Sequence, residues 1–171
     1  MGTMGRDAVN AADLLIRCLE HEGVKFMFGV PGEETLEMMD SILGSQIRFV
    51  TTRHEQGAAF MADLYGRLSG HAGVCLSTLG PGATNLMTGV ADANLDHAPL
   101  VAISGQVSTE RQHAQSHQYI DLQALFKPIT KWNGVIATRT MIPEAVRTAF
   151  KTAEMEKPGA IHLEVPEDVA A

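Results

Sequence analysis

The fold is decided by residues 73–103, which read GVCLSTLGPGATNLMTGVADANLDHAPLVAI. The apolar run Gly73–Leu76 predicts a short buried strand, which leads through a glycine-rich turn into a predicted helix, Ala83–Leu95. A second apolar run, Leu100–Ile103, predicts the next strand. Two buried strands joined by a crossover helix are typical of parallel sheets. The stretch therefore predicts an α/β fold.

The same alternation continues on both sides of this stretch. Apolar runs predict three more strands, and helical spacing of apolar residues predicts the helices between them. The predicted strands are Phe26–Val30, Ile47–Val50 and Ala160–Val165, and the predicted helices are Ala11–Leu19, Glu33–Leu43, Gln56–Leu68 and one from Pro143 onward. We expect a three-layer open parallel sheet of about six strands with helices on both faces, forming one domain over residues 1–171.

Three segments have weaker patterns. Polar residues between Gln106 and Asp121 predict a loop with one helical turn. The segment Lys127–Ala137 predicts a strand that is broken near Asn133-Gly134. In the last predicted strand, His162 and Glu164 alternate with apolar residues, which predicts one face in contact with water.

Composition excludes several classes of protein. The chain of 171 residues is 45% hydrophobic and 19% charged, as in soluble globular domains. With 13 basic and 20 acidic residues its net charge is −7, so we expect no nucleic-acid partner. No apolar run is long enough to span a membrane, and Met1–Asp7 lacks the blocks of a signal peptide. Cys18 and Cys75 lie in apolar runs, as buried free thiols do, so we expect a cytoplasmic protein without a membrane partner.

A single carboxylate stands at a predicted strand end. Residues 53–59 read RHEQGAA and follow a predicted strand, which places Glu55 where open α/β sheets build ligand sites. Two roles are open for Glu55: proton chemistry in a crevice, or a capping box with Thr52 at the start of the helix. Small residues follow it and favour either a flat ligand or close helix packing: Gly57, Ala58, Ala59 and Ala62.

Two glycine-bearing turns stand at other predicted strand ends. Residues 80–85, GPGATN, open a helix, where backbone amides bind an anion or a ring, or where the glycines form a tight turn with Pro81. They do not match a dinucleotide fingerprint or a P-loop, since Asn85 replaces the third glycine and no Gly-Lys pair follows. With Val30-Pro31-Gly32 and Glu55 they would meet at one edge if their strands are neighbours. We therefore expect a binding site there.

Metal and nucleophile sites are not indicated. His54-Glu55 lacks the second histidine of the zinc-protease signature, because residue 58 is alanine. His113 and His117 are one helical turn apart, but no thiolate or carboxylate accompanies them, which favours solvated loop residues. Neither a Gly-x-Ser-x-Gly elbow nor a cysteine with activating neighbours occurs. We predict no metal ligand in this chain.

As a set, four motifs resemble the N-terminal, pyrimidine-binding domain of thiamine-diphosphate enzymes, with the acetolactate synthase large subunits as the most similar subfamily. They are GVPG at 29–32, RHEQGAA at 53–59, GPGATN at 80–85 and ITKW at 129–132. The resemblance covers residues 8–169 in motif order and spacing. It implies that Glu55 hydrogen-bonds the ring nitrogen N1′ of the aminopyrimidine and favours the imino tautomer, whose 4′ nitrogen removes the thiazolium C2 proton. The carbanion would then attack a 2-keto acid such as pyruvate.

The resemblance also implies roles for other residues and partners. Thiamine diphosphate would contact Val30, Pro31, Glu55, Thr78, Gly80, Pro81, Gly82 and Asn85, and Gln118 would lie near the substrate. The Mg²⁺ and diphosphate site would belong to a further domain that this chain lacks, contributed by a second subunit of a homo-oligomer. Whether the longer enzyme binds FAD stays open, and the isolated chain is expected to be inactive.

One departure keeps alternatives open. Residues 165–168 read VPED, where many synthases have Leu-Pro-Lys-Asp, so Glu167 puts synthase specificity in doubt. The alternatives are another decarboxylase, oxidase or lyase of the superfamily, and a non-catalytic binding module that retains the fold. A dinucleotide-dependent dehydrogenase domain is a further alternative, against which the missing third glycine argues.

Overall fold

The computed structural model describes residues 10–113 and 115–171, and in them six strands form one sheet. The strands are β1 (Phe26–Gly29), β2 (Arg48–Thr51), β3 (Gly73–Ser77), β4 (Leu100–Gln106), β5 (Trp132–Val135) and β6 (Ala160–Pro166). Their order is β2-β1-β3-β4-β6-β5, and every pair is parallel. The predicted α/β fold with a parallel sheet of about six strands is confirmed.

Helices cover both faces of this sheet. They are α1 (Ala11–His21), α2 (Leu36–Leu43), α3 (Glu55–Ser69), α4 (Gly80–Leu95), α5 (Leu122–Phe126), α6 (Ile142–Glu154) and α7 (Glu167–Ala170). Helices α1, α2, α6 and α7 pack on the face formed by residues such as Leu76 and Ile103. Helices α3, α4 and α5 pack on the other face, formed by residues such as Cys75 and Ala102. The predicted three layers are confirmed, and each face has its own apolar core.

Two helix starts differ from the predicted bounds by more than one residue. The predicted helix Glu33–Leu43 is a 3₁₀ turn at Glu33–Thr35 followed by α2, because the Thr35 hydroxyl bonds both the N–H and the C=O of Gly32. Helix α4 begins at Gly80, so the turn predicted ahead of Ala83 is itself helical. Pro81 lies in its first turn, where the missing N–H costs no hydrogen bond.

The predicted strand break near Asn133-Gly134 is wrong. Both residues lie inside β5, which pairs with β6 in regular register. A Cβ on Gly134 would come within 2.7 Å of the Trp132 ring, so the glycine serves a close side-chain contact. The preceding Lys127–Ile129 is a 3₁₀ turn that follows α5, a helix too short to show periodicity in the sequence.

The water-contacting face predicted for β6 is also wrong. His162 is fully buried and Glu164 is 4% exposed, because helices α4 and α5 cover this face. The His162 ring stacks on Phe126 with centroids 3.8 Å apart. His162 Nε2 lies 3.1 Å from Ser104 Oγ, which lies 3.1 Å from Ser77 Oγ. A buried chain of polar side chains therefore crosses three strands of the sheet.

Three observations bear on the sequence expectations about compartment. Cys75 is fully buried and burial raises the pKa of its thiol to about 12, while Cys18 is half-buried, and both are free. The stretch Met1–Asp7, on which the signal-peptide prediction rests, lies outside the described residues. In the part of the chain that the structure describes, no helix has the length and apolar character needed to cross a membrane.

A guanidinium connects α3 to α4. Arg67 Nε and Nη2 donate to both carboxylate oxygens of Asp63, at 2.7 and 3.0 Å. The same group donates to Asp96 at 2.8 Å and to Asp92 at 3.2 Å. Asp63 is 4% exposed, so its carboxylate depends on Arg67 for compensation of its buried charge.

We expect Arg67→Met to lower the free energy of unfolding by about 1–3 kcal/mol, because it leaves the buried Asp63 carboxylate without its donor. Urea unfolding of the chain measures this loss. Asp96→Asn is the matched control, since Asp96 is exposed and an exposed ion pair contributes about 1 kcal/mol or less. Equal losses in the two variants would contradict a special role for the Arg67–Asp63 pair.

Candidate functional site

Three chain segments meet at the carboxyl edge of the sheet. Strands β2, β1 and β3 are neighbours in that order, so the segments that follow them lie side by side. These segments carry Val30, Glu55 and Gly80, the three strand-end features of the sequence. The condition for their convergence, that the strands be neighbours, is confirmed.

Glu55 is the first residue of α3 and is only 8% exposed. Asn85 Nδ2 on α4 donates to Glu55 Oε2 at 3.0 Å. Oε1 receives no hydrogen bond from the residues that the structure describes, and it lies 3.4 Å from the position of a Cβ on Gly82. One carboxylate oxygen is thus fixed by α4, and the other remains available beside a glycine.

The capping-box alternative for Glu55 is wrong. Helix α3 is capped by His54, whose Nδ1 accepts from the Gln56 N–H at 3.2 Å. The Thr52 hydroxyl donates to the carbonyl of His54 at 3.0 Å, and the Thr52 N–H donates to Gly29 O. The side chain of Glu55 turns instead toward Asn85, which no local sequence pattern could reveal.

The small residues after Glu55 mostly serve packing. Ala58, Ala59 and Ala62 are fully buried, and a Cβ on Gly89 of α4 would come within 2.6 Å of the Ala59 Cβ. Close helix packing, one of the two interpretations left open by the sequence, therefore explains these alanines. Gly57 differs, since it is exposed and has open space around it.

The glycines of the two turns allow close approach around Thr78. A Cβ on Gly32 would come within 2.7 Å of the Thr78 Cβ, and a Cβ on Gly82 within 2.8 Å of its Cγ2. The turn after β1 and the turn after β3 therefore contact each other directly through this one side chain. Gly80 adopts a φ of +47°, a conformation that favours glycine.

Glu34 lies at the same edge of the sheet, and the sequence patterns did not single it out. Its carboxylate accepts a hydrogen bond from the Thr78 hydroxyl and so joins the two turns. In the sequence, Glu33 and Glu34 open the predicted helix Glu33–Leu43, where acidic residues are favourable to the helix dipole. A contact between residues 44 positions apart leaves no local signal.

The remaining predicted site residues lie at different depths. Val30 is half-buried and Pro31 is exposed, and both directly follow β1. Gln118 is exposed, with a φ of +55°, and its carbonyl would lie 2.2 Å from a Cβ on Gly80. The structure thus brings the backbone of Gln118 to the first residue of α4, and the roles of these residues stay predictions.

Among the described residues, cavities alone do not define the site. One cavity, of about 470 Å³, lies at the amino edge of the sheet, beside residues such as Arg17 and Lys25. A cleft of about 310 Å³ lies at the carboxyl edge and is lined mainly by carboxylates, among them Glu34 and Glu167. Glu167 accepts from the Ser108 N–H at 3.1 Å. No cluster of three or more metal-ligating side chains occurs in residues 10–113 and 115–171.

Comparison with known families decides what this arrangement is. The family described as thiamine pyrophosphate enzyme, N-terminal TPP binding domain, matches residues 9–125, more than half of the chain. The chain belongs to this family. Thiamine pyrophosphate, that is, thiamine diphosphate, is therefore the cofactor of this TPP-binding domain.

Relatives of the TPP-binding domain carry one recurring name. This chain is 47% identical over 161 residues to a probable acetolactate synthase large subunit of Methanocaldococcus jannaschii, covering 94% of this chain and 27% of that protein. It is 41% identical to a catabolic acetolactate synthase of Raoultella terrigena, covering 96% of this chain and 29% of that protein. It is 38% identical to the acetolactate synthase isozyme 1 large subunit of Escherichia coli, covering 98% of this chain and 30% of that protein. The resemblance to acetolactate synthase large subunits is confirmed, and the chain spans less than a third of their length.

The geometry of the TPP-binding domain fits the aminopyrimidine ring of thiamine diphosphate. A ring nitrogen needs a hydrogen-bond partner with little competition from water, and Glu55, a residue only 8% exposed, offers one carboxylate oxygen that Asn85 does not occupy. Gly82 brings the first turn of α4 close to that oxygen, because a Cβ at this position would overlap Thr78. The residues present therefore suit the cofactor that the family binds.

We expect Gly82→Ala to destabilise the TPP-binding domain by about 1–3 kcal/mol, because the added methyl overlaps Thr78 Cγ2, which is stiff at χ1. Thermal and urea unfolding measure this. Gly57→Ala is the control: its new methyl meets nothing within 4 Å, and alanine favours helix by up to about 1 kcal/mol. Equal effects of the two substitutions would contradict a close contact between Gly82 and Thr78.

Proposed function

We propose that this chain forms the pyrimidine-binding part of the active site of an acetolactate-synthase-like carboligase, a thiamine-diphosphate-dependent transferase or lyase. The substrate would be a 2-keto acid such as pyruvate, which loses carbon dioxide before its remaining carbons join a second keto acid. The supporting observation is Glu55, buried at the carboxyl edge with one oxygen bonded to Asn85 and the other available.

The residues of this chain would bind and orient the cofactor. When bound, thiamine diphosphate supplies a nucleophilic carbon for attack on 2-keto acids. Glu55 Oε1 would hydrogen-bond the pyrimidine ring, and Asn85 would hold the carboxylate in place through Oε2. Glu55 is only 8% exposed, which limits the water that would otherwise compete for this bond. Val30, Pro31 and the 78–82 turn would line the ring, with Gln118 toward the substrate.

The rest of the enzyme would come from sequence outside this chain. A diphosphate-binding domain of a second subunit, with Mg²⁺, would complete the site in a homo-oligomer, and FAD would belong to the longer enzyme if it binds one. An exposed apolar stripe on α3 beside Glu55 supports a partner there; it consists of Phe60, Met61, Leu64 and Leu68. Two free cysteines favour a reducing compartment, the cytoplasm.

Product analysis tests the proposed activity. The full-length enzyme that contains this chain would be incubated with pyruvate, thiamine diphosphate and Mg²⁺. We expect acetolactate as the main product. Free acetaldehyde would indicate a decarboxylase, acetate would indicate an oxidase, and no turnover of any 2-keto acid would favour a non-catalytic binding module.

We expect this chain alone to bind thiamine diphosphate weakly or not at all, because the diphosphate and metal contacts would come from another domain. Isothermal titration calorimetry of the chain with thiamine diphosphate and Mg²⁺ measures this. Micromolar binding accompanied by pyruvate turnover would contradict the proposed division of the site between two domains.

A further inference from the structure

The backbone of Gln118 is held in an uncommon conformation. Its φ of +55° is rare for a residue with a side chain, and such strain persists only where the surroundings enforce it. Gly80, also at positive φ, packs so closely that a Cβ would lie 2.2 Å from Gln118 O. The Gln118 side chain is exposed and free to meet a ligand. The direction of the Gln118 side chain therefore depends on what fixes the loop around Gln118.

A buried amide lies beneath the loop. Gln106, the last residue of β4, is fully buried. Its Nε2 donates to the carbonyl of Ile120 at 3.1 Å, and its Oε1 accepts from the Val107 N–H at 3.1 Å. Both ends of the amide are used, so its orientation is fixed. The Ile120 carbonyl lies only two residues beyond Gln118.

A buried carboxylate completes this anchor. Glu164 on β6 is 4% exposed and accepts from Gln123 Nε2, at the start of α5, at 2.8 Å. Burial raises the pKa of Glu164, and hydrogen bonds from Gln123 and Gln106 act against that rise. A group of buried polar side chains thus connects the ends of β4 and β6 to the segment that follows Gln118. Burial of such groups is costly unless they are paired, as they are here.

We propose that Gln106 is a positioning residue for Gln118. Its bond to Ile120 fixes the far side of the loop, while contact with Gly80 fixes the near side, and together they direct Gln118 toward the site at the start of α4. The inference rests on the proposed function, in which Gln118 faces the substrate.

Hydrogen exchange on this chain tests the anchor directly. Gln106→Leu removes the hydrogen bonds that Gln106 makes with Ile120 O, the Val107 N–H and Glu164, at similar side-chain volume. The Tyr119 N–H, which donates to Ser116 O at 3.2 Å within the loop, is expected to exchange about tenfold faster. The Ala98 N–H, bonded to Ala93 O at the opposite edge of the sheet, is the internal reference and should change less than about twofold. An unchanged Tyr119 amide, or equal acceleration at both amides, would overturn the proposal.

Kinetics of the full-length enzyme test the consequence. We expect Gln106→Leu and Gln118→Ala each to raise the KM for the keto acid about tenfold, while the Kd for thiamine diphosphate stays within about twofold. The double variant should be no worse than Gln118→Ala, because Gln106 acts through Gln118. Ile103→Ala, buried on the opposite face of β4, should lower the melting temperature without raising KM.

The outcomes separate the two proposals. Additive effects of the two glutamine substitutions, or a wild-type KM in Gln118→Ala, would overturn the positioning role of Gln106. Full turnover by Glu55→Gln would instead overturn the proposed function, and the Tyr119 exchange rate would still report whether Gln106 anchors the loop.

Discussion

Replacing Glu55 with glutamine is expected to lower carboligation by the full-length enzyme about 100- to 10,000-fold, the range for loss of a group that controls proton transfer. The glutamine amide fits the same space and still accepts from Asn85 through its oxygen. It then places an NH₂ group where Oε1 stands, so the ring nitrogen meets a neutral donor that cannot exchange a proton with it. The steady-state rate of acetolactate formation measures the effect.

A matched control separates chemistry from stability. Glu144→Gln makes the same change at an exposed position of α6, on the face of the sheet away from Glu55. We expect this variant to keep wild-type turnover. If Glu55→Gln turned over at the wild-type rate but unfolded at a lower temperature, Glu55 would be a structural residue and its catalytic role would be wrong.

Acid is expected to destabilise the domain through His162. Burial against Phe126 lowers the pKa of this imidazole from 6.5 to about 3 in the folded chain. Below pH 6.5 the unfolded chain therefore binds a proton that the folded chain does not, so stability is complete above 6.5 and falls as the pH drops toward 3. The loss at pH 3 is on the order of 4–5 kcal/mol. Glu164 acts in the opposite direction, because burial raises its pKa.

Urea unfolding between pH 8 and pH 4 measures this dependence. His162→Gln should flatten it, although the variant is less stable at pH 8 because it loses the stack on Phe126. His71→Gln, at a 79% exposed side chain, should keep the wild-type dependence. A wild-type pH dependence in His162→Gln would show that other groups cause the acid sensitivity.

Strand and helix positions were largely predictable from the sequence, because burial of a parallel sheet imposes long apolar runs on its strands. The errors occurred where a tertiary contact decides the structure. Their alternation with apolar residues predicted that His162 and Glu164 contact water. Helices α4 and α5 cover them instead, and side-chain hydrogen bonds satisfy most of their polar atoms. The sequence predicted a strand break at Gly134, but the residue lies inside β5 with the Trp132 ring packed closely over it.

The meeting of the strand-end turns at one edge was predictable from the sequence, whereas the contacts among their residues were not. Strand-end turns located Glu55 and Gly82 at one edge, since parallel strands end on the same side. The partners of these residues were not predictable: Asn85 reaches Glu55 from 30 positions away, and Glu34 reaches Thr78 from 44 positions away. Local spacing also allowed a capping box for Glu55, which is absent at residues 52–55 because His54 caps the helix.

The most direct test of this account is a crystal structure of the full-length enzyme with thiamine diphosphate bound. In that structure we expect Glu55 Oε1 to lie about 2.7–3.2 Å from the pyrimidine ring nitrogen N1′, with Asn85 still bonded to Oε2. A Glu55 carboxylate directed to solvent, or a pyrimidine ring bound away from the 78–82 turn, would contradict it.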